Sequence, residues 1–414
     1  MRLRWRGSRC GPPLSRQSKP VHTASTVTGG GRTSTRRPAV ASRAREQPRA
    51  DDGETVHAIV IQGRDAAATL LEVEPQTMRA GEVRIHVDAW AQCSLDAVDQ
   101  LVSQRPDTGP GSAAGIIAGH EVAGTIIEIA NDVTEVVLGE RVLIARMAPC
   151  RACATCLRGQ PALCLDQPIG QLTSEGLNLG HRVGGFRDEV VVAAGRALPL
   201  LDDVSTGHAA TLGCTVLTGA SAVRNAARLV PGERVVVAGS GPAAMAAIAT
   251  SVLVGAGSVI ALLDSDDADA ASAATRLGAA HVLTPADGPA AAAVRRHTDG
   301  VGADAVLGLG MDPDQLVALW DATRPGGLLV TVGGVRGATT LDTTDAGGMG
   351  RTLVSAPHGL ADHQRDLSWL VPLAAQGRLG LDEVVDVQHG NLSAVLDAYG
   401  APTPSYRQLV HVRA

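Results

Sequence analysis

The chain reads as an α/β protein in two parts, one mainly β and one built on a doubly wound parallel sheet. Three observations predict this. The stretch "ERVVVAGSGPAAMAAIATSVLVGAGSVIALLD" runs strand, tight glycine turn, helix, strand. Further strands follow at "AHVLT", "ADAVLGL" and "GLLVTVGG", with helical stretches between them, the alternation that builds a parallel sheet. Ahead of this region, "TVHAIVI" is the first strand-like alternation, and the apolar run Thr125 to Ile129 reads as another strand.

The 414 residues are enough for two or three domains with real cores. Hydrophobic residues make up 45% of the chain and aromatics only 2%, so the core must be built from Ala, Val, Leu and Ile. The same scarcity predicts a pocket lined by aliphatics, with Trp90 and Trp320 as exceptions. No uninterrupted apolar run approaches the roughly 20 residues of a membrane span, so no membrane association is expected. Residues 1–50 carry 11 Arg, Lys19 and a single acid, Glu46. The remaining body is therefore acidic and gives no reason to expect nucleic-acid binding. The segment 1–52 is read as a basic tail outside the fold. It is a disordered arm or translated sequence ahead of the true start, with an organellar transit peptide as the competing reading. The body is expected to be cytoplasmic.

Seven cysteines stand at 10, 93, 150, 153, 156, 164 and 214. Four fall in "CRACATCLRGQPALC", spaced Cys150-x2-Cys153-x2-Cys156-x7-Cys164. Thiols this close on a loop can converge on one ion, and four thiolates suit tetrahedral zinc. Disulfides are disfavoured because no secretory signal is visible. The local pattern alone also admits an iron–sulfur cluster. Four thiolates leave no open position, so such a metal holds a loop and does no chemistry. Cys10 lies in the tail.

Cys93 and Cys214 remain. "GHEVAGTIIEIANDV" places His120 just before a strand with Glu121 beside it. Alone, such a histidine is more simply a core or turn residue. With Cys93 and Cys214 it completes two thiolates and one imidazole, a set that leaves zinc an open catalytic position. Here the chain resembles the zinc-dependent medium-chain alcohol dehydrogenases. Gly119, His120, Glu121, Gly124, Ala130 and Val133 match the family signature, and the four-cysteine spacing matches its structural zinc lobe. "LGCTVLTGASAV" resembles the segment that supplies the third catalytic ligand, Cys214, with Thr218 near the nicotinamide. "GQLTSEGLNLGHRVGGFRDEVVV" leans towards the glutathione- or mycothiol-dependent formaldehyde dehydrogenases. The resemblance spans about residues 55–414. It implies a GroES-like catalytic domain, a Rossmann nucleotide-binding domain and two zinc ions per chain, one catalytic and one structural. It also implies a dimer or tetramer, a small alcohol or carbonyl substrate, and an exchange role at the catalytic zinc for Glu121.

In the nucleotide half, Gly239-Ser240-Gly241-Pro242-Ala243-Ala244 follows a buried strand and opens a helix. Gly239 allows the tight turn, Gly241 lets backbone approach a pyrophosphate, and Ala244 replaces the third glycine of the fingerprint. Asp264 ends "VIALLD" and is placed to bind ribose hydroxyls, which favours NAD over NADP. Asp266 is the alternative if the strand is one residue longer than usual. The expected boundaries are 53–214 for the first catalytic segment, 215–350 for the nucleotide domain and 351–414 for the return segment. In the last, "LDEVVDV" reads as a strand and "NLSAVLDAYG" as a helix.

Asp96 is read as orienting His120 through its free ring nitrogen, against the plainer reading of a surface carboxylate. Where the family usually carries Ser or Thr two residues after the first cysteine, and often His five after, this chain has Leu95 and Val98. Neither can relay a proton, and Ser94 stands one position early. Three functions therefore compete: a dehydrogenase with another proton path, a reductase of an iminium or activated C=C bond, and a non-catalytic nucleotide-binding protein.

Overall fold

The computed structural model describes residues 55–62, 67–93, 115–166, 173–174, 176–179, 183–310, 312–333, 338–341, 349–399 and 406–413. The strand expected at "TVHAIVI" is Val56–Ile61. It pairs antiparallel with Ala68–Val73 and with Gly115–Ile117, and Leu177–Leu179 completes a four-stranded sheet. A second, seven-stranded sheet is centred on Glu82–Ala91, which pairs antiparallel with Glu121–Ile129, Glu189–Ala193 and Gln408–Val412. Arg141–Ile144 lies on the far side of Glu121–Ile129, and Val385–His389 lies beyond Gln408–Val412. The last two thus bring the end of the chain onto the sheet that its beginning built.

The third sheet has six strands, all parallel. Its spatial order is His281–Leu283, Ser258–Leu262, Arg234–Ala238, Ala303–Leu309, Thr323–Val332, Thr352–Ser355. The direction of strand succession reverses between Arg234–Ala238 and Ala303–Leu309, which opens a crevice beyond their carboxyl ends. Thr352–Ser355 belongs to this sheet, so the return to the first part begins after residue 355 and not at 351. The other expected boundary, at 214/215, falls inside a helix. Thr206–Thr211, Leu212–Val216, Leu217–Ser221 and Ala222–Ala227 follow one another as one helical run, the second and fourth pieces π-wound. Ser205 caps its start by accepting from the His208 amide at 3.2 Å, and Arg228, at φ 53, ends it.

This run joins the two parts. One core cluster contains Ala89, Ala123 and Leu143 from the seven-stranded sheet, Leu212 and Leu217 from the run, and Val235, Val237 and Met245 from the nucleotide half. Val236 faces the other way, into a separate cluster with Ile260 and Leu329, as strand alternation requires. Trp320 is in that cluster at 6% exposure and Trp90 is fully buried between strands. Both are core side chains, and neither is the pocket residue expected from the sequence. The stretch "LDEVVDV" is a helical turn, Leu381–Val384, followed by a strand from Val385. Leu392–Ala398 is the expected helix. Among the described residues, no helix is long and apolar enough to cross a membrane.

Candidate functional site

Four donor residues from three distant segments meet at one end of the seven-stranded sheet. Cys93 lies two residues past Glu82–Ala91, and His120 and Glu121 stand at the start of Glu121–Ile129. Cys214 comes from the π-wound Leu212–Val216, the kind of turn that recurs at functional sites. The ligand atoms of all four lie within 4.8 Å of one another. His120 and Glu121 are fully buried and Cys214 nearly so. Gly119, at φ +89, puts His120 in place, and a β-carbon there would collide with the Phe186 ring.

The hydrogen bond to Cys214 and burial push the Cys93 thiol well up. Burial and the neighbouring Cys93 push Glu121 up to about 8. A divalent cation held there would favour the thiolates and the carboxylate, reversing both shifts. Two sulfurs, an imidazole nitrogen and a carboxylate oxygen within 4.8 Å of one another are a donor set that suits zinc. Glu121 accepts hydrogen bonds from the Thr215 amide and the Gln408 side chain, and the Thr215 hydroxyl lies 3.9 Å from Cys93 Sγ. Thr215 and Gln408 were not singled out from the sequence. Thr215 adjoins Cys214 and was within reach of that reading, whereas Gln408, 287 positions from Glu121, carries no local signal.

The second cluster is Cys150, Cys153, Cys156 and Cys164, again with donor atoms within 4.8 Å. All four are free thiols. Backbone amides point at the sulfurs: Cys153 N lies 3.2 Å and Ala152 N 3.4 Å from Cys150 Sγ, and Cys150 N lies 3.3 Å from Cys164 Sγ. The Thr155 hydroxyl, 3.2 Å away, is the main cause holding Cys153 below the usual thiol range. Burial and the neighbouring thiols instead push Cys156 up to about 12, so the case for zinc at this lobe rests on four sulfurs within 4.8 Å of one another.

At the switch point of the parallel sheet, Gly239 turns at φ +124, where a β-carbon would stand 2.7 Å from the Leu309 carbonyl oxygen. Gly241 caps Pro242–Leu253, with Pro242 in its first turn, followed by Ala243. A β-carbon on Gly241 would meet only open space, so nothing within the chain requires a glycine there. The vacancy suits a ligand phosphate approaching the helix end. Ser240 hydrogen-bonds the Asp264 carboxylate, and the Asp264 amide donates to Ser240 Oγ at 3.1 Å. Asp264 lines a pocket with Gly239, Thr284, Gly310 and Gln315. Asp266 instead accepts from the Ala286 amide at 3.2 Å, on the turn after the next strand. Thr218 lies one turn beyond Cys214 on the shared run. Ser94, Leu95, Asp96, Val98, Cys10 and the tail lie outside the described residues.

Residues 79–202 match the alcohol dehydrogenase GroES-like domain, and residues 242–376 match the zinc-binding dehydrogenase domain. Together these matches span more than half of the chain. The chain belongs to the zinc-type medium-chain alcohol dehydrogenase family. S-(hydroxymethyl)glutathione dehydrogenase from Synechocystis is 29% identical over 231 residues, which cover 53% of this chain and 61% of that protein. The chain thus matches about three fifths of that relative's length. Benzyl alcohol dehydrogenase from Acinetobacter calcoaceticus superposes with a TM-score of 0.78 at 23% identity, covering 87% of this chain and 100% of that one. An alcohol dehydrogenase zinc-binding domain protein from Burkholderia ambifaria gives 0.76 at 22%, covering 87% and 99%. These structures share the fold, a GroES-like domain with a Rossmann-like one. Cys93, His120, Glu121 and the four-cysteine lobe fall within the GroES-like match, whereas Cys214 and the Gly239 turn lie between the two matched ranges.

Proposed function

We propose that the chain is a zinc-dependent oxidoreductase that interconverts an alcohol and its carbonyl using NAD. One observation carries the reading: Cys93, His120 and Cys214, brought from remote segments, converge with Glu121 on the helical run that packs against the nucleotide half. Zinc seated there would supply Lewis acidity towards an alcohol or carbonyl oxygen, with NAD as the hydride partner. Two thiolates and one imidazole from the chain leave one coordination position for substrate. Gln408 and the Thr215 amide hydrogen-bond Glu121 among the four donors, so a zinc held there would have this carboxylate beside Cys93, His120 and Cys214. The four-cysteine lobe would hold a second, structural zinc.

The preference for NAD rests on Asp264. Its carboxylate can accept from both ribose hydroxyls and repels a 2′-phosphate. It is the one charged side chain among the described residues that line the pocket. Thr352–Ser355 is the last strand of its sheet on that side, and such an edge can pair with a second copy, which supports a dimer or tetramer.

The deciding experiment follows nicotinamide absorbance with zinc-loaded protein and a panel of alcohols and aldehydes, using NAD and NADP in turn. Turnover with NAD is expected. No hydride transfer with any substrate overturns the reading, and a clear preference for NADP overturns the role given to Asp264.

A further inference from the structure

Two neighbouring strands end side by side at the switch point of the parallel sheet. Arg234–Ala238 and Ser258–Leu262 run in register, with Ala238 opposite Leu262. The contact continues one step beyond, where the Gly239 amide donates to the Leu262 carbonyl at 3.0 Å. Ser240 and Asp264 follow on their respective strands. Ser240 has little freedom of its own. Gly239 before it turns at φ +124, with the Leu309 carbonyl oxygen where a β-carbon would need room. Gly241 after it caps Pro242–Leu253, its carbonyl accepting from the Ala244 amide at 2.9 Å.

The Ser240 hydroxyl grips Asp264 twice. It hydrogen-bonds Oδ1 of the carboxylate, and it accepts from the Asp264 amide at 3.1 Å. One oxygen bound to both the amide and the carboxylate of a residue closes a ring through its Cα, Cβ and Cγ. That ring fixes both side-chain torsions of Asp264, which an exposed aspartate would otherwise sample among several wells. A hydroxyl has a single proton to give. Given to Oδ1, it leaves Oδ2 open to a ligand, and a neutral donor leaves the negative charge of the carboxylate uncancelled.

The neighbouring acids are engaged elsewhere. Asp266 accepts from the Ala286 amide at 3.2 Å. Asp267 caps Ala268–Arg276 by accepting from the Asp269 and Ala270 amides at 2.9 and 3.1 Å. Asp264 is the acid of this turn that lines the pocket, with Gly239, Thr284 and Gln315.

We propose that Ser240 is a positioning residue for Asp264: it sets the carboxylate for the ribose hydroxyls before the nucleotide arrives, and so carries part of the preference for NAD over NADP. This rests on the NAD reading above and adds to it a side chain that acts through Asp264. A carboxylate fixed in advance helps only the ligand that uses it. NAD gains because the torsions of Asp264 need not be frozen on binding. NADP brings a 2′-phosphate to the same carboxylate, and like charges repel most when neither can swing away. Loss of the Ser240 hydroxyl therefore weakens NAD and spares or favours NADP. Damage to the glycine turn, which would receive the pyrophosphate common to both, weakens them alike.

Fluorescence titration of the full chain with NADH and with NADPH tests this, because it reads binding without substrate or turnover. The wild-type protein is expected to prefer NADH. In Ser240→Ala the dissociation constant for NADH rises roughly three- to tenfold, the cost of ordering one side chain on binding, while that for NADPH is unchanged or falls. In an Asp264→Ala background, adding Ser240→Ala changes the NADH constant less than about twofold, because the hydroxyl has nothing left to position. Parallel weakening of both nucleotides in Ser240→Ala overturns the proposal, since the serine would then only shape the turn. So does a further NADH loss in the Asp264→Ala background as large as in the wild type. A wild-type preference for NADPH removes the NAD reading itself and the proposal with it. A preference for NADH that survives Ser240→Ala intact removes the positioning role alone.

Discussion

Cys93 is the residue on which the metal assignment is most exposed to test. Cys93→Ser is expected to abolish turnover and to lower metal content from two zinc ions per chain towards one, read by elemental analysis. The loss of affinity should exceed the roughly 10–100-fold that removing an outer partner of a ligand costs. Unchanged metal content would refute the assignment. The donors were legible in the sequence because their chemistry is rare and local: a thiol or an imidazole announces itself wherever it stands. Gln408 was not. A glutamine near the chain end looks like any other polar residue, and only the pairing of strands remote in sequence brings it to the cluster. Trp90 shows the opposite failure. A rare aromatic near Cys93 invited a pocket role, yet its ring is buried and its Nε1 donates to the Arg187 carbonyl at 3.1 Å. Leu95 departs from the family pattern in the sequence itself. If a missing hydroxyl limits proton transfer, Leu95→Thr should raise the rate of alcohol oxidation, at most by the 10²–10⁴-fold range of general acid–base catalysis. An unchanged kcat would mean that the proton leaves by another path.

Among elements, the described residues of the four-cysteine lobe reach the rest of the fold through Arg151. Arg151 forks onto the two oxygens of Asp362 at 2.9 and 2.7 Å. An exposed pair of this kind contributes about 1 kcal/mol or less, so the lobe must be ordered mainly from within, by whatever its thiolates bind. If the lobe holds zinc, chelation is therefore expected to lower Tm, by less per kcal/mol lost than the roughly 2–4 °C of a 150–250-residue protein because this chain is larger, as calorimetry with and without chelator would show. A Tm indifferent to chelation would mean that the lobe needs no ion. Most strands were legible because Val and Ile runs between glycines have few other uses, as Arg234–Ala238 and Ala303–Leu309 show. The π-wound pieces were not. They carry the same apolar spacing as α-helix, and their extra width comes from the packing of the run between two halves, which no short window contains. The boundary expected at 214/215 falls inside this run, whose residues share a core cluster with both halves.

At the scale of the whole molecule, the shared core makes stability respond to pH as one unit. Burial holds His363 at about 3 and also holds His208 and His411 below the usual histidine value. A folded-state pKa below the unfolded one means that the unfolded chain takes up a proton which the native fold refuses. Stability should therefore be full above about pH 6.5 and fall as pH drops through that value, by at most about 1.4 kcal/mol per unit for His363. His363→Gln should flatten the decline in Tm between about pH 6.5 and 5, ahead of the range where Asp304 and Asp362 protonate. A decline unaltered by that substitution would place the acid sensitivity elsewhere. The wide turn at Leu212–Val216 is the shape a helix takes when one residue too many is threaded into it. Each residue carries a helix through about 100°, so the bearing of the Cys214 sulfur depends on how many residues precede it as well as on its being cysteine. Deleting Ala210 would leave every ligand in the chain and every signature intact, yet swing that sulfur more than a quarter turn off aim. The metal centre is thus open to a fault of phase, a kind of damage that no substitution at the ligands themselves would reproduce.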